Sequence, residues 1–156
     1  MFSNKAKVGF RIPLKLKLYL FMSKFYKPKN NITFSMDKAK DIRKGENLPI
    51  GPLKNFLNTQ GFNTDDLIVK QFPSGYSNLT YFLSTNNNEY VLRRPPFGAD
   101  SLKGGHDMSR EYKVLSKLKS EFKKVPNVHL YTEDKSIIGA PFYIMDCVKG
   151  YIIRPN

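Results

Sequence analysis

Gln71 to Arg94 reads QFPSGYSNLTYFLSTNNNEYVLRR, and this stretch decides the fold. Successive side chains of a strand point to opposite sides, so Leu79, Tyr81 and Leu83 share one face of a strand over Asn78–Ser84. Asn86-Asn87-Asn88 supplies residues that tolerate left-handed backbone and turn the chain back. A second strand over Glu89–Arg94 stops at Pro95-Pro96, which cannot continue a central ladder. Upstream, Pro73-Ser74-Gly75-Tyr76-Ser77 is a loop of mostly small residues entering the first strand. A loop, a hairpin and a cationic strand end together can hold an anion such as a phosphate.

Along the second strand Val91 and Arg93 share one face, and Leu92 and Arg94 the other. An apolar residue and a cation two apart resemble the V-A-I-K strand pattern. The alternative is a strand with a basic, solvated end. His106 to Phe122 reads HDMSREYKVLSKLKSEF, where Met108, Tyr112, Leu115, Leu118 and Phe122 recur at helical spacing. Asp107 suits the N-cap, and Glu111 falls on or beside the inward face. A buried carboxylate without a partner costs several kcal/mol, so Glu111 calls for a cation, and Arg93 is the candidate. Kinase folds use such a strand cation and helix glutamate to hold the phosphates of ATP. The alternative leaves Glu111 flanking the stripe in water.

The chain has 156 residues, the length of one ordinary domain, and 12 Phe with 9 Tyr to build a core. One cysteine, Cys147, excludes an internal disulfide and fits a reducing compartment, and a cytoplasmic setting is expected. Two histidines and one cysteine, far apart in sequence, argue against zinc. The net charge of +13 invites a nucleic-acid reading, but residues 1–36 carry eight of the 26 basic residues and none of the 13 acidic ones. Most of the excess therefore belongs to a leader, expected to be disordered over 1–36, and not to a binding face of the region 37–156. A basic membrane-surface segment or an organelle presequence are the other readings of that leader.

The rest of the chain reads as a helix over Pro52–Gln60 stopped by Gly61, a strand over Leu67–Phe72, the hairpin, and a Pro- and Gly-rich loop over Pro95–Gly105. The Glu111 helix follows, then a strand over Val128–Thr132, a turn over Glu133–Ser136 and a buried strand over Phe142–Val148. The expected fold class is α+β: a five-stranded, mainly antiparallel sheet with one helix packed on it. His106 is expected as an exposed residue at the helix start.

The runs FPSGYSNLTYFL, EYVLRRPPFG, HDMSREYKVLSKL and IIGAPFYIMDCVKG together resemble the aminoglycoside/choline phosphotransferase family. The likeness runs from about Ile42 to Arg154 in the family's own order and is similar to the branch found fused to acyl-CoA dehydrogenases. The resemblance implies a protein-kinase-like N-terminal lobe that binds ATP. On that likeness Gly75, Ser77 and Asn78 match the phosphate-covering loop, Arg93 the strand cation and Glu111 its helix partner. Met145, Asp146, Cys147 and Val148 match the hinge strand beside adenine. The loop holds one glycine where protein kinases have G-x-G-x-x-G, and Ser74 stands where relatives often have Gly.

In that family the base and the Mg²⁺ ligands lie on a C-terminal lobe, in an H-G-D-x-x-x-x-N motif and a later Asp. His106-Asp107-Met108 is not that motif, so the C-terminal lobe is expected to be absent, with no catalytic residue and no metal ligand in these 156 residues. The expected function is the nucleotide-binding lobe of an ATP-dependent small-molecule phosphotransferase, inactive alone. Its expected partners are a nucleotide, a small hydroxyl acceptor and a separately supplied second lobe. The rival is a basic module for nucleic acid or anionic membrane, which the charge and interleaved aromatics motivate.

Overall fold

The computed structural model describes residues 32–35, 37–73, 77–86, 88–99, 106–150 and 152–155. The chain forms two units, residues 36–152 and residues 1–35 with 153–156. Strand β1 (Ile32–Ser35) pairs with β7 (Ile152–Pro155). Of the leader expected to be disordered over 1–36, residues 1–31 and 36 lie outside the described residues, and Ile32–Ser35 form β1.

The larger unit is built on a sheet of β2 (Ile68–Gln71), β3 (Leu79–Thr85), β4 (Asn88–Arg94), β5 (Val128–Thr132) and β6 (Phe142–Asp146). The spatial order is β2-β3-β4-β6-β5, and every pairing is antiparallel. The β3–β4 hairpin is tighter than its asparagine run suggests. Thr85 pairs with Asn88, so Asn88 joins the strand, and Asn86 takes the positive φ of 47° that a two-residue turn demands. The last strand is shorter than expected, because pairing ends at Asp146 and Val148 is exposed.

One face of the sheet carries the core. Leu79, Tyr81 and Leu83 of β3, Leu92 of β4, and Phe142 and Ile144 of β6 point the same way. Helix α1 (Ile50–Thr59) lays Leu53 and Leu57 on them, and Leu48, Ile137 and Ile138 close the edges. The helix begins before Pro52, because the N–H that proline lacks has no partner in a first turn anyway. Ile137 and Ile138 belong to a short helix, α3 (Lys135–Ile138), where a plain turn was expected over Glu133–Ser136. The Asp134 carboxylate caps α3 by accepting from Ser136 N–H at 2.8 Å, and Gly139 ends it at φ 80°.

Arg94 overturns the reading of a solvated strand end. It shares the core face with Leu92 and is only 2% exposed. Its Nε donates to Pro95 O and its Nη1 to Ile138 O, both at 3.0 Å, and its guanidinium lies 3.8 Å from the centre of the Phe97 ring. Tyr81, also buried, donates its hydroxyl to Glu46 O at 2.7 Å, and burial pushes its phenol up to about 12.

Helix α2 (Met108–Glu121) lies on the other side, near β5 and β6. Its apolar stripe is not the core. Met108 is buried, but Leu118 is 44% exposed, Phe122 53% and Val114 55%. The main core forms beneath α1, and α2 meets the sheet where Glu111 bonds Arg93 and where Tyr112 stacks on Tyr131 at 5.0 Å.

The two helices should therefore differ in their weight on stability. Leu57→Ala should cost about 2–5 kcal/mol in urea unfolding, whereas Leu118→Ala should stay within about 1 kcal/mol. Equal losses at the two positions would contradict this division of the core.

Candidate functional site

The face of the sheet opposite the core lines a cleft of about 660 Å³. Alternation puts Thr80 and Phe82 of β3, Val91 and Arg93 of β4, and Met145 of β6 along it. Lys38, Lys70 and Lys149 stand at its rim, Lys149 paired with Glu89 at 2.8 Å. The cleft thus combines an apolar bed with cations.

At its inner end sits the ion pair expected from the sequence. Arg93 Nε donates to Glu111 Oε2 at 3.0 Å and Nη2 to Oε1 at 3.3 Å. Register explains the meeting: Arg93 sits opposite Thr80 on one side and Tyr143 on the other. Both neighbours are used. Arg93 Nη1 donates to Thr80 Oγ1 at 3.2 Å, and the Tyr143 hydroxyl donates to Glu111 Oε2 at 2.8 Å. Asn78 Nδ2 adds a fourth donor, to Glu111 Oε1 at 2.7 Å. Helix α2 delivers Glu111 in its first turn, because the Asp107 carboxylate caps the helix by accepting from Arg110 N–H at 3.0 Å.

The electrostatics follow. Burial pulls the Glu111 carboxyl upward, but bonds from Arg93, Tyr143 and Asn78 outweigh it and hold the group below its ordinary value of 4.5. Burial pushes the Tyr143 phenol well above its ordinary value, so it stays protonated and donates. Three of the five guanidinium N–H groups of Arg93 are spent on Thr80 and Glu111.

The strand end beyond Met145 is also secured. Asp146 Oδ2 accepts from Asn127 N at 2.9 Å and Asn127 Nδ2 at 2.7 Å, and Oδ1 lies 2.6 Å from His129 Nε2. Burial raises the Asp146 carboxyl, yet these Asn127 and His129 contacts prevail and hold it below its ordinary range. The Asp146 and Cys147 N–H groups are consumed internally, by Asn127 O at 2.9 Å and Glu89 O at 3.2 Å. Burial pushes the Cys147 thiol up, with Glu89 adding to the shift.

The expected residues distribute as follows. Arg93, Met145, Asp146, Cys147 and Val148 all line the cleft, and Glu111 meets Arg93 behind it. Ser77 is exposed, and Gly75 lies outside the described residues. Asn78 is buried, with its side chain turned to Glu111. His106, expected in solvent, is half-buried instead, its Nδ1 2.9 Å from Asn78 Oδ1. The sequence reading missed Thr80 and Tyr143, whose only signal is strand register opposite Arg93. Among the described residues no three His, Cys, Asp or Glu side chains come together. Nor is any described helix long and apolar enough to cross a membrane.

Residues 68–156 match the family described as "Phosphotransferase enzyme family". The chain is 42% identical over 110 residues to "Acyl-CoA dehydrogenase family member 11" of Rattus norvegicus, an alignment covering 67% of this chain and 14% of the rat protein. It is 36% identical over 102 residues to "Acyl-CoA dehydrogenase family member 10" of Mus musculus, covering 65% of this chain and 9% of that protein. A solved structure described as an aminoglycoside phosphotransferase from Ralstonia eutropha superposes with a TM-score of 0.55 at 34% identity, covering 67% of this chain and 29% of the other. The chain thus spans a small part of the length of these relatives.

The depressed Glu111 value has a signed consequence. A carboxylate with a folded pKa below its unfolded one adds stability that is full above the unfolded value and is lost as pH falls through the folded value. Glu111→Gln should therefore cost about 1–3 kcal/mol in urea unfolding at pH 7, with the gap to wild type narrowing as pH drops below 4.5. A gap that stays constant into acid would mean the pair is electrostatically idle.

Proposed function

The chain belongs to the phosphotransferase enzyme family, and from that premise we propose that residues 37–150 bind the nucleotide of an ATP-dependent small-molecule phosphotransferase. Its five-stranded antiparallel sheet is the N-lobe-like part of a kinase-like fold. The observation that carries the proposal is the Arg93–Glu111 pair at the inner end of the cleft. Glu111 neutralises and orients the guanidinium, and the N–H groups of Arg93 not spent on Thr80 and Glu111 remain for an anion.

The cleft supplies complementary groups for the remainder of a nucleotide. Phe82, Val91 and Met145 form an apolar bed for a planar base. The Asp146 and Cys147 N–H groups are already bonded, so backbone N–H donation to the base edge falls to residues from Val148 onward. Lys38 and Lys70 at the rim add charge toward the phosphates. Asn78 acts on the phosphate end indirectly, through Glu111, and Gly75 and Ser77 keep the covering-loop role that the family likeness assigns them.

Transfer to an acceptor hydroxyl needs a base near that hydroxyl and a carboxylate and amide set for Mg²⁺. The 156 residues contain no H-G-D-x-x-x-x-N run, and the proposal is that they bind nucleotide without transferring phosphate. A second lobe would supply the acceptor site, and the exposed Val114 and Leu118 of α2, with Phe122 just beyond it, offer it an apolar seat.

Titration of the purified chain with a fluorescent ATP analogue tests the reading. Arg93→Ala should weaken binding by about tenfold or more, and deletion of residues 1–35 should leave it unchanged. The reverse pattern, with salt-steep binding lost on the deletion, would favour a basic surface module instead. Phosphoryl transfer by the 156-residue chain alone would overturn the second half of the proposal.

A further inference from the structure

Asn78 has a hydrogen-bond partner at each end of its amide. Its Nδ2 lies 2.7 Å from Glu111 Oε1 and its Oδ1 lies 2.9 Å from His106 Nδ1. The direction of both bonds is set by the carboxylate. Glu111 faces Arg93 and is ionised at neutral pH, so it only accepts, and the NH₂ of Asn78 must turn toward it. The amide oxygen then faces His106, and because that oxygen also only accepts, His106 Nδ1 must carry a proton. The neutral ring is thus the Nδ1–H tautomer, not the Nε2–H form that free histidine favours.

We infer that His106 is a positioning residue: through Asn78 it fixes the Glu111 carboxylate that holds the Arg93 guanidinium at the cleft. The carboxylate alone decides which end of the Asn78 amide faces it, but the asparagine torsion is broad, and a single bond leaves the NH₂ able to swing off Oε1, the atom that also receives Arg93 Nη2 at 3.3 Å. The His106 N–H, bonded to the amide oxygen, anchors the other end of the amide and so keeps Nδ2 on Glu111. Its location suits the task, since His106 directly precedes the Asp107 cap of α2, while Asn78 directly precedes β3. The bond therefore ties the start of the helix bearing Glu111 to the start of the strand bearing Thr80. This inference rests on the nucleotide-lobe reading only for its effect in the cleft; the hydrogen-bond chain is independent of it.

Long-range ¹H–¹⁵N NMR of the imidazoles in the full 156-residue chain gives the deciding signature, above the titration of the ring. Wild-type His106 should show the Nδ1–H pattern, and Asn78→Ala should abolish it. The Glu111 carboxyl carbon should titrate at higher pH in His106→Ala and return toward wild type in His106→Asn, whose amide N–H stands near the place of Nδ1. An Nε2–H pattern in the wild type, or a Glu111 midpoint unmoved by His106→Ala, would overturn the inference. Should the alanine variant not fold, the wild-type tautomer still decides. ATP-analogue affinity forms a separate arm: weakening in His106→Ala with recovery in His106→Asn supports the effect on the cleft. A wild-type chain with the Nδ1–H tautomer and no nucleotide affinity would retain the relay and overturn the nucleotide reading.

Discussion

The Glu111 carboxylate is the constraint on which the cleft depends. A half-buried carboxylate is costly unless both oxygens are satisfied, and here each receives two donors. Those donors come from Asn78, Arg93 and Tyr143, on or beside three adjacent strands, while the acceptor comes from a helix. One anion thus registers α2 against the sheet. The apolar contribution to that registration is small, since α2 buries only Met108 fully. Polar geometry therefore performs at this helix the role that packing performs at α1.

The two faces of the sheet divide the labour. Beneath α1, Leu53 and Leu57 meet a continuous apolar surface, and the hydrophobic effect dominates. The opposite face is left open to line the cleft, and its strength comes from paired charges and hydrogen bonds. Adjacent arginines make the contrast visible in two residues. Arg94 is drawn into the core side, where backbone carbonyls and the Phe97 ring receive it. Arg93, one step along, points to the cleft and meets Glu111. The same type of side chain is buried on one face and lines the cleft on the other, because a strand alternates.

Much of this was legible in the residues. The hairpin announced itself through alternation and its asparagines, and Glu111 through its place at the edge of an apolar stripe. The exposure of Leu118 and Phe122 was not legible, because helical periodicity reports that a face is apolar and says nothing of what lies against it. The tightness of the turn escaped as well, since three successive asparagines all tolerate its geometry and only cross-strand pairing selects between them. Tyr143 and Thr80 reach Arg93 through register alone, a relation between segments distant in sequence.

Sequence by itself determined which side chains alternate, that the strand ending at Arg94 must stop at Pro95, and that a carboxylate near an apolar helix face required a cation. These are local matters, governed by backbone geometry and by the free energy of burying one charge. Only the tertiary structure decided which helix covers the core, which neighbours complete the coordination of Glu111, and that His106 faces Asn78 and not solvent. Each of those depends on distances between segments that meet only once the chain has folded, and no pattern within a segment encodes them.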